Sequence, residues 1–403
     1  MPLYNFKAKD PQGKYVKGIV ESKTPKEAVA LLHDRQLLVI NLREKGSDVF
    51  KAISEKISWV TFGDLVNFTR QLATMFTAGL RLTEALQILA KQIEKPGLHK
   101  IILDLQKEVE SGSSFAKALE KHSTFPKVYV AAVRAGEASG TLDKVLMRLA
   151  DSLEKSKALK SKIVGSLIYP AFIFMAMMGA AFFLMIFVIP QMRGLFEAFG
   201  GEIPATTQLL FLISTALRNF WWLIILAMIG AVFLFRAWRK TPVGKKITDT
   251  LFLRVPVLGK IQKEGILAEF ANTMGLLVSA GVPVVEGLNI VSGAMGNVLY
   301  QESVKEAAQK MEKGFPLSAI LEASSLYPPI LVQMTKVGEE TGKIDETLTR
   351  VSNYFEAEAD ETVKRLTSLI EPIMIIVLAL GVAFMAFSII LPIYKLVDQA
   401  GQL

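Results

Sequence analysis

The chain of 403 residues contains no cysteine and only three histidines. Without a thiol there is no disulfide, no thiolate metal site and no cysteine nucleophile. His33, His99 and His122 lie far apart on charged or polar stretches, so the usual nitrogen donors of a zinc site are not gathered anywhere. A nucleotide loop is also missing. No stretch follows the GxxxxGK[ST] pattern, in which a lysine comes after the second glycine and a buried strand before the first. The opening residues "MPLYNFKAKDPQGKYVKG" hold no apolar core of the secretory type, and the N-terminus is expected to stay in the cytoplasm. The net charge of +8 is not drawn into one basic stripe, so direct nucleic-acid binding is not expected. No cofactor is implied.

Apolar length is what the chain does have. Hydrophobic residues make up 51% of it and charged residues 21%, a mixture that fits long polar stretches joined by a few membrane spans. Three runs approach or exceed the roughly 20 residues a spanning helix needs. Ile163 to Met192 carries no charge, Asn219 to Phe235 is flanked by Trp221, Trp222 and Trp238, and Pro372 to Tyr394 is again uncharged. Lys155, Lys157, Lys160 and Lys162 precede the first run, and Arg236, Arg239, Lys240, Lys245 and Lys246 follow the second. Between those runs stand only Arg193, Glu197, Glu202 and Arg218, so the positive-inside rule puts that loop outside. Both long polar regions are then cytoplasmic and the C-terminus is external.

Shifting the chain against itself by 202 residues gives a gapless register. Phe68 falls on Phe270, Ala78-Gly79 on Ala280-Gly281, Gly112 on Gly314, Gly136-Glu137 on Gly338-Glu339, and Gly140 on Gly342. Even the membrane prolines agree: Pro170 falls on Pro372 and Pro190 on Pro392. In each copy the apolar residues recur at helix period, as at Leu72, Met75 and Phe76, then Leu82, Leu86 and Leu89. About six helices per copy are expected, packed as antiparallel hairpins.

The expected organisation is mainly α, that of a polytopic membrane protein. Residues 1–45 form a small α+β domain, with Thr24, Pro25 and Glu27 starting its helix, and 46–59 a linker. Residues 60–162 form the first helical domain, 163–192 the first span, 193–218 the outer loop, and 219–236 the second span. Then come a cytoplasmic linker at 237–260, the second helical domain at 261–366, the third span at 369–394, and an external tail at 395–403.

"GEASGTLD" at 136–143 and its twin "GEETGKID" at 338–345 raise the question of chemistry. With helical neighbours on both sides, the reading is a bend: Gly136 ends one helix in a left-handed cap, Ser139 or Thr341 caps the next, and Asp143 or Asp345 sits in its first turn. Nothing nearby supplies a nucleophile or a histidine for a carboxylate pair, and a cation held by Glu137 and Asp143 is the remaining alternative. Pro190 and Pro392 are read as helix ends.

The motifs "FTRQLATMFTAGLRLTEAL", "VRAGEASGTLDKVL", "KIVGSLIYP" and "EPIMIIVL", with the opening "YNFKAKDPQGKYVKGIVES", resemble the inner-membrane platform proteins of type IV pilus and type II secretion machines, the PilC/GspF family. The resemblance covers essentially the whole chain. It implies a non-enzymatic adaptor in the bacterial inner membrane. Its implied partners are a hexameric assembly ATPase, with a retraction ATPase as a second candidate, prepilins or pseudopilins, inner-membrane alignment proteins, and further copies of itself. Gly79, Gly281, Gly136, Glu137, Gly140, Gly338, Glu339, Gly342, Pro170 and Pro372 are the residues expected to shape its partner surfaces. A small transporter is the first alternative, but the runs lack mid-membrane charge. A membrane-anchored enzyme is the second, and it lacks a polar constellation.

Overall fold

The computed structural model describes residues 3–9, 11, 15–22, 24–44, 60–191 and 205–400. The expected linker 46–59 and residues 193–204 of the expected outer loop lie outside them. The chain divides into two compact units, Met1–Ser114 and Phe115–Leu403.

In the first unit, strands β1 (Leu3–Lys9), β2 (Tyr15–Glu21) and β3 (Leu38–Glu44) form an antiparallel sheet in the order β2-β1-β3. Helix α1 (Pro25–Asp34) begins where Thr24 Oγ1 accepts the Glu27 N–H at 3.3 Å. Its residues Ala28 and Leu32, four apart, are buried, as are Tyr4 and Ala8 on β1. Helices α2 (Phe62–Thr77), α3 (Leu82–Gln92) and α4 (Pro96–Glu110) pack in sequence on Phe68, Leu72, Leu86, Leu89, Ile102 and Leu105. A reciprocal capping box at Thr61 and Asp64 starts α2, and Lys95 pairs with the same carboxylate. His99 is structural: its Nδ1 lies 2.8 Å from the Ala90 carbonyl.

The second unit continues with α5 (Phe115–Glu120), α6 (Lys127–Ser139) and α7 (Leu142–Phe183). Helices α8 (Ala205–Arg239) and α9 (Pro242–Arg254) follow. The second copy is α10 (Leu258–Ser279), α11 (Val284–Ala294), α12 (Val298–Glu312), α13 (Leu317–Glu322), α14 (Pro329–Thr341) and α15 (Ile344–Ala400). Helices α2 to α7 therefore match α10 to α15 one for one, six to a copy. In the second copy, α10 packs along α15, and the ring of Tyr300 meets Tyr327 edge-on at 6.0 Å in the core. Three helices among the described residues are long and apolar enough to cross a membrane: α7 running on to Gln191, α8 from Phe211 to Arg239, and α15.

The structure corrects several readings. Residues 205–218 are helical rather than loop, and α8 breaks only at Phe220, whose φ of −120° and ψ of 15° lie outside the helix region. The polar residues that suggested a loop are absorbed by packing: Ser214 is buried and its hydroxyl donates to the Met185 carbonyl at 2.5 Å. That carbonyl lies in a π-helical turn, Leu184–Val188, just before Pro190, where a proline deprives the helix of one N–H. Pro392 does not end its helix, since α15 continues to Ala400; in lipid the surrounding backbone bonds have no water to exchange for. The expected linker at 237–260 contains α9, which is tied to the second copy. Asp249 on α9 is buried, and its Oδ2 accepts the Val298 N–H at 3.0 Å at the start of α12.

Candidate functional site

Each copy has its last bend between its fifth and sixth helices, α6 to α7 and α14 to α15. The bend does not run as expected. Gly136 lies within α6 and is buried; the left-handed cap is Gly140, with φ of 71°. The Thr141 N–H donates to the Gly136 carbonyl at 2.8 Å and the Gly140 N–H to the Glu137 carbonyl at 3.4 Å, the paired bonds of a Schellman motif. Gly342 repeats this with φ of 69°, and its neighbour Lys343 bonds to Gly338 at 2.9 Å. Ser139 caps nothing downstream. Its hydroxyl donates back to the Ala135 carbonyl at 2.8 Å, and Thr341 does the same to Val337 at 2.7 Å. Asp143 and Asp345 do sit in the first turns of α7 and α15.

Gly136 is small because a helix passes over it. A Cβ there would stand 2.8 Å from Val145 Cγ2, and one on Gly338 would stand 2.3 Å from Thr347 Oγ1. Gly79 and Gly281 close the turns after α2 and α10 with φ of 91° and 92°.

Glu137 points inward. Its two oxygens accept the backbone N–H groups of Phe115 at 2.8 Å and Ala116 at 3.1 Å, the otherwise unpaired donors at the start of α5. Glu339 takes the same position on α13, accepting from Leu317 N–H at 2.5 Å and Ser318 N–H at 3.1 Å, with the Ser318 hydroxyl at 2.5 Å. The carboxylate thus compensates a helix N-terminus 22 residues upstream. Each Glu137 oxygen already serves one backbone N–H. Among the described residues no group of three or more His, Asp or Glu gathers in a way that could hold a metal.

Pro170 and Pro372 both lie inside unbroken helices. Pro170 lines a cavity of about 240 Å³ between α7 and α15, with Tyr169, Ile173, Thr367 and Met374. Glu371 also lines it, a residue missed in the sequence because the apolar run was counted from Pro372. An acid next to a proline at the mouth of an apolar run is the signal that could have found it. Asp249 was missed as well, being a lone acid in a stretch read as linker.

Between the two copies, cations on α7 meet acids and an amide on α15. Arg148 lies 3.9 Å from Asp345, Lys155 donates to Asn353 Oδ1 at 2.6 Å and lies 3.9 Å from Glu356, and Lys162 pairs with Asp360. The pairs ascend together along both helices, so α7 and α15 run parallel. Asn272 adds a bond to Ser152 at 2.6 Å.

A duplicated helical module, each copy prolonged into a helix long and apolar enough to cross a membrane, defines a membrane-anchored protein built on an internal repeat. The family model described as "Type II secretion system (T2SS), protein F" matches residues 68–190 and again 270–392, and its N-terminal domain model matches residues 1–43. The chain belongs to this family. It is 38% identical over 402 residues to the type IV pilus assembly protein PilC of Thermus thermophilus, covering 98% of each chain. It is 34% identical to the type IV pilus assembly protein TapC of Aeromonas hydrophila, over 97% of this chain and 94% of that one. It is 33% identical to the type II secretion system protein F of Xanthomonas campestris pv. campestris, over the full length of both. It is therefore an inner-membrane platform protein of the type IV pilus or type II secretion kind, a structural component and not an enzyme.

Proposed function

We propose that this platform transmits work from a cytoplasmic assembly ATPase to prepilins or pseudopilins, lifting them from the bilayer into a filament. Its N-terminus and both helical modules then face the cytoplasm, its C-terminus faces outward, and alignment proteins of the inner membrane hold it in place. The observation that carries this reading is the continuity of α7 and α15, each one helix from the module's last bend into the apolar run. A helix without a hinge moves its membrane end whenever its other end is moved. The chain has no nucleotide loop of its own, so the work is supplied by a partner.

The test separates binding from transmission. A flexible Gly-Ser insert after Lys162 or after Arg365 is expected to leave capture of the assembly ATPase by the solubilised full chain intact while abolishing filament or secretion output. Normal output from both insert strains would overturn the reading, and so would a failure of the unaltered chain to capture the ATPase.

A further inference from the structure

Only Lys240 and Thr241 separate α9 from the end of α8, the second of the three helices long and apolar enough to cross a membrane. The corner between them is tight. The Thr241 hydroxyl donates to the Trp238 carbonyl at 2.6 Å, and its oxygen accepts the Gly244 N–H at 3.1 Å. A Cβ on Gly244 would collide with that same carbonyl, so the first turn of α9 lies directly against the last turn of α8. A tryptophan at the end of a spanning helix sits at the headgroup level, and Trp238 therefore sets the level at which α9 begins.

The sides of α9 differ. Gly244, Thr248 and Asp249 are buried against the protein. Along the neighbouring arc Val243, Ile247 and Leu251 recur every four residues and stand 67%, 49% and 62% exposed. Lys246, Ile247, Thr250, Leu251 and Arg254 line an open hollow of about 270 Å³ there. Arg254 has no carboxylate partner among the described residues. Lys246 meets Glu302 at 2.9 Å, but both side chains are more than half exposed, and such a pair yields readily to salt or to another anion.

We propose that α9 lies in the headgroup layer of the bilayer that α8 crosses, with Val243, Ile247 and Leu251 dipping into the acyl boundary and Lys246 and Arg254 holding the phosphates of acidic phospholipids. Two observations select an anionic lipid surface as the occupant. The helix is delivered to headgroup level by its own span, and its exposed face sets apolar side chains between cations, the pattern of a helix that rests on anionic lipid. The consequence reaches the second helical module. On the buried side the Asp249 carboxylate accepts the Val298 N–H, so docking of α9 fixes the height of that module over the membrane. This goes beyond the coupling role and stands without it.

The natural absence of cysteine lets one reporter thiol be placed at a time. The purified full chain carrying Ile247→Cys or, as a control at an exposed position of α12, Gln309→Cys is labelled with an environment-sensitive fluorophore. It is reconstituted into phosphatidylcholine vesicles with or without phosphatidylglycerol, doped with lipids brominated on their acyl chains. The Ile247→Cys label should be quenched by the brominated chains and shielded from acrylamide in the water, and the Gln309→Cys label the reverse. Phosphatidylglycerol should raise the lipid quenching at the first position about threefold, and Lys246→Gln with Arg254→Gln should abolish that gain. Both of those side chains are exposed, so the paired change leaves the packing of α9 intact. An Ile247→Cys label as open to acrylamide as the control would overturn the proposal. One shielded from acrylamide and from brominated lipid alike would do so too, since a protein would then cover the face, as would quenching indifferent to phosphatidylglycerol.

Discussion

Glu264 shows how one buried acid sets a pH dependence. It sits on α10, accepts the Thr362 hydroxyl at 3.0 Å and lies 3.6 Å from Lys260 Nζ. Burial pushes its carboxyl above the usual 4.5, although Thr362 and Lys260 pull the other way. The folded chain therefore holds this proton longer than the unfolded chain does. Stability falls as pH rises from 4.5 towards the raised value and stays lower beyond it. Glu264→Gln keeps a partner for Thr362 without the charge. Thermal unfolding of the solubilised protein should show it more stable than the parent at pH 7, with the difference vanishing below 4.5. A parent as stable as the variant at pH 7 would remove the argument.

At the scale of the elements, the bends depend on two glycines with different duties. Gly140 supplies a left-handed backbone, and Gly140→Ala should cost about 1 kcal/mol. Gly136 supplies room, and Gly136→Val drives a branched side chain into Val145 and should abolish folding of the module and with it filament output; normal output from that strain would refute the assignment. The positions of Gly79 and Gly281 were legible because a reversal between two helical patterns needs positive φ, whereas at the last bend the left-handed cap falls on Gly140 and Gly342, four residues past the glycines it was assigned to. Gly136 was misread as the reversal itself because its reason is a helix crossing over it, which local spacing does not reveal. Glu137 was equally opaque: the N–H groups it serves are 21 and 22 residues away. Helix α9 was hidden by Thr241, Pro242 and Gly244, which look like linker yet form its first turn, with Thr241 Oγ1 accepting the Gly244 N–H at 3.1 Å.

For the whole molecule, the parallel seam of α7 and α15 holds the copies in register with half-exposed charges. Such pairs contribute about 0–1 kcal/mol each and weaken with salt. Lys155→Glu places like charges against Glu356, and is expected to lower the unfolding midpoint by a few degrees at low salt, about the effect of 1 kcal/mol. At 1 M salt the gap should close; a gap that persists there would mean the seam acts through packing instead. The duplication, the three spans and the six helices per copy were all readable from spacing. The α9 attachment and the seam were not, because both join residues far apart in sequence. The buried bond from Ser214 to the Met185 carbonyl bears on the order in which the molecule is made. Synthesis completes α7, its π-helical turn and α8 long before α15 exists, and this bond joins that turn to α8. The hairpin can therefore close while the second module is still being translated, and the third span then arrives at a partner already in place.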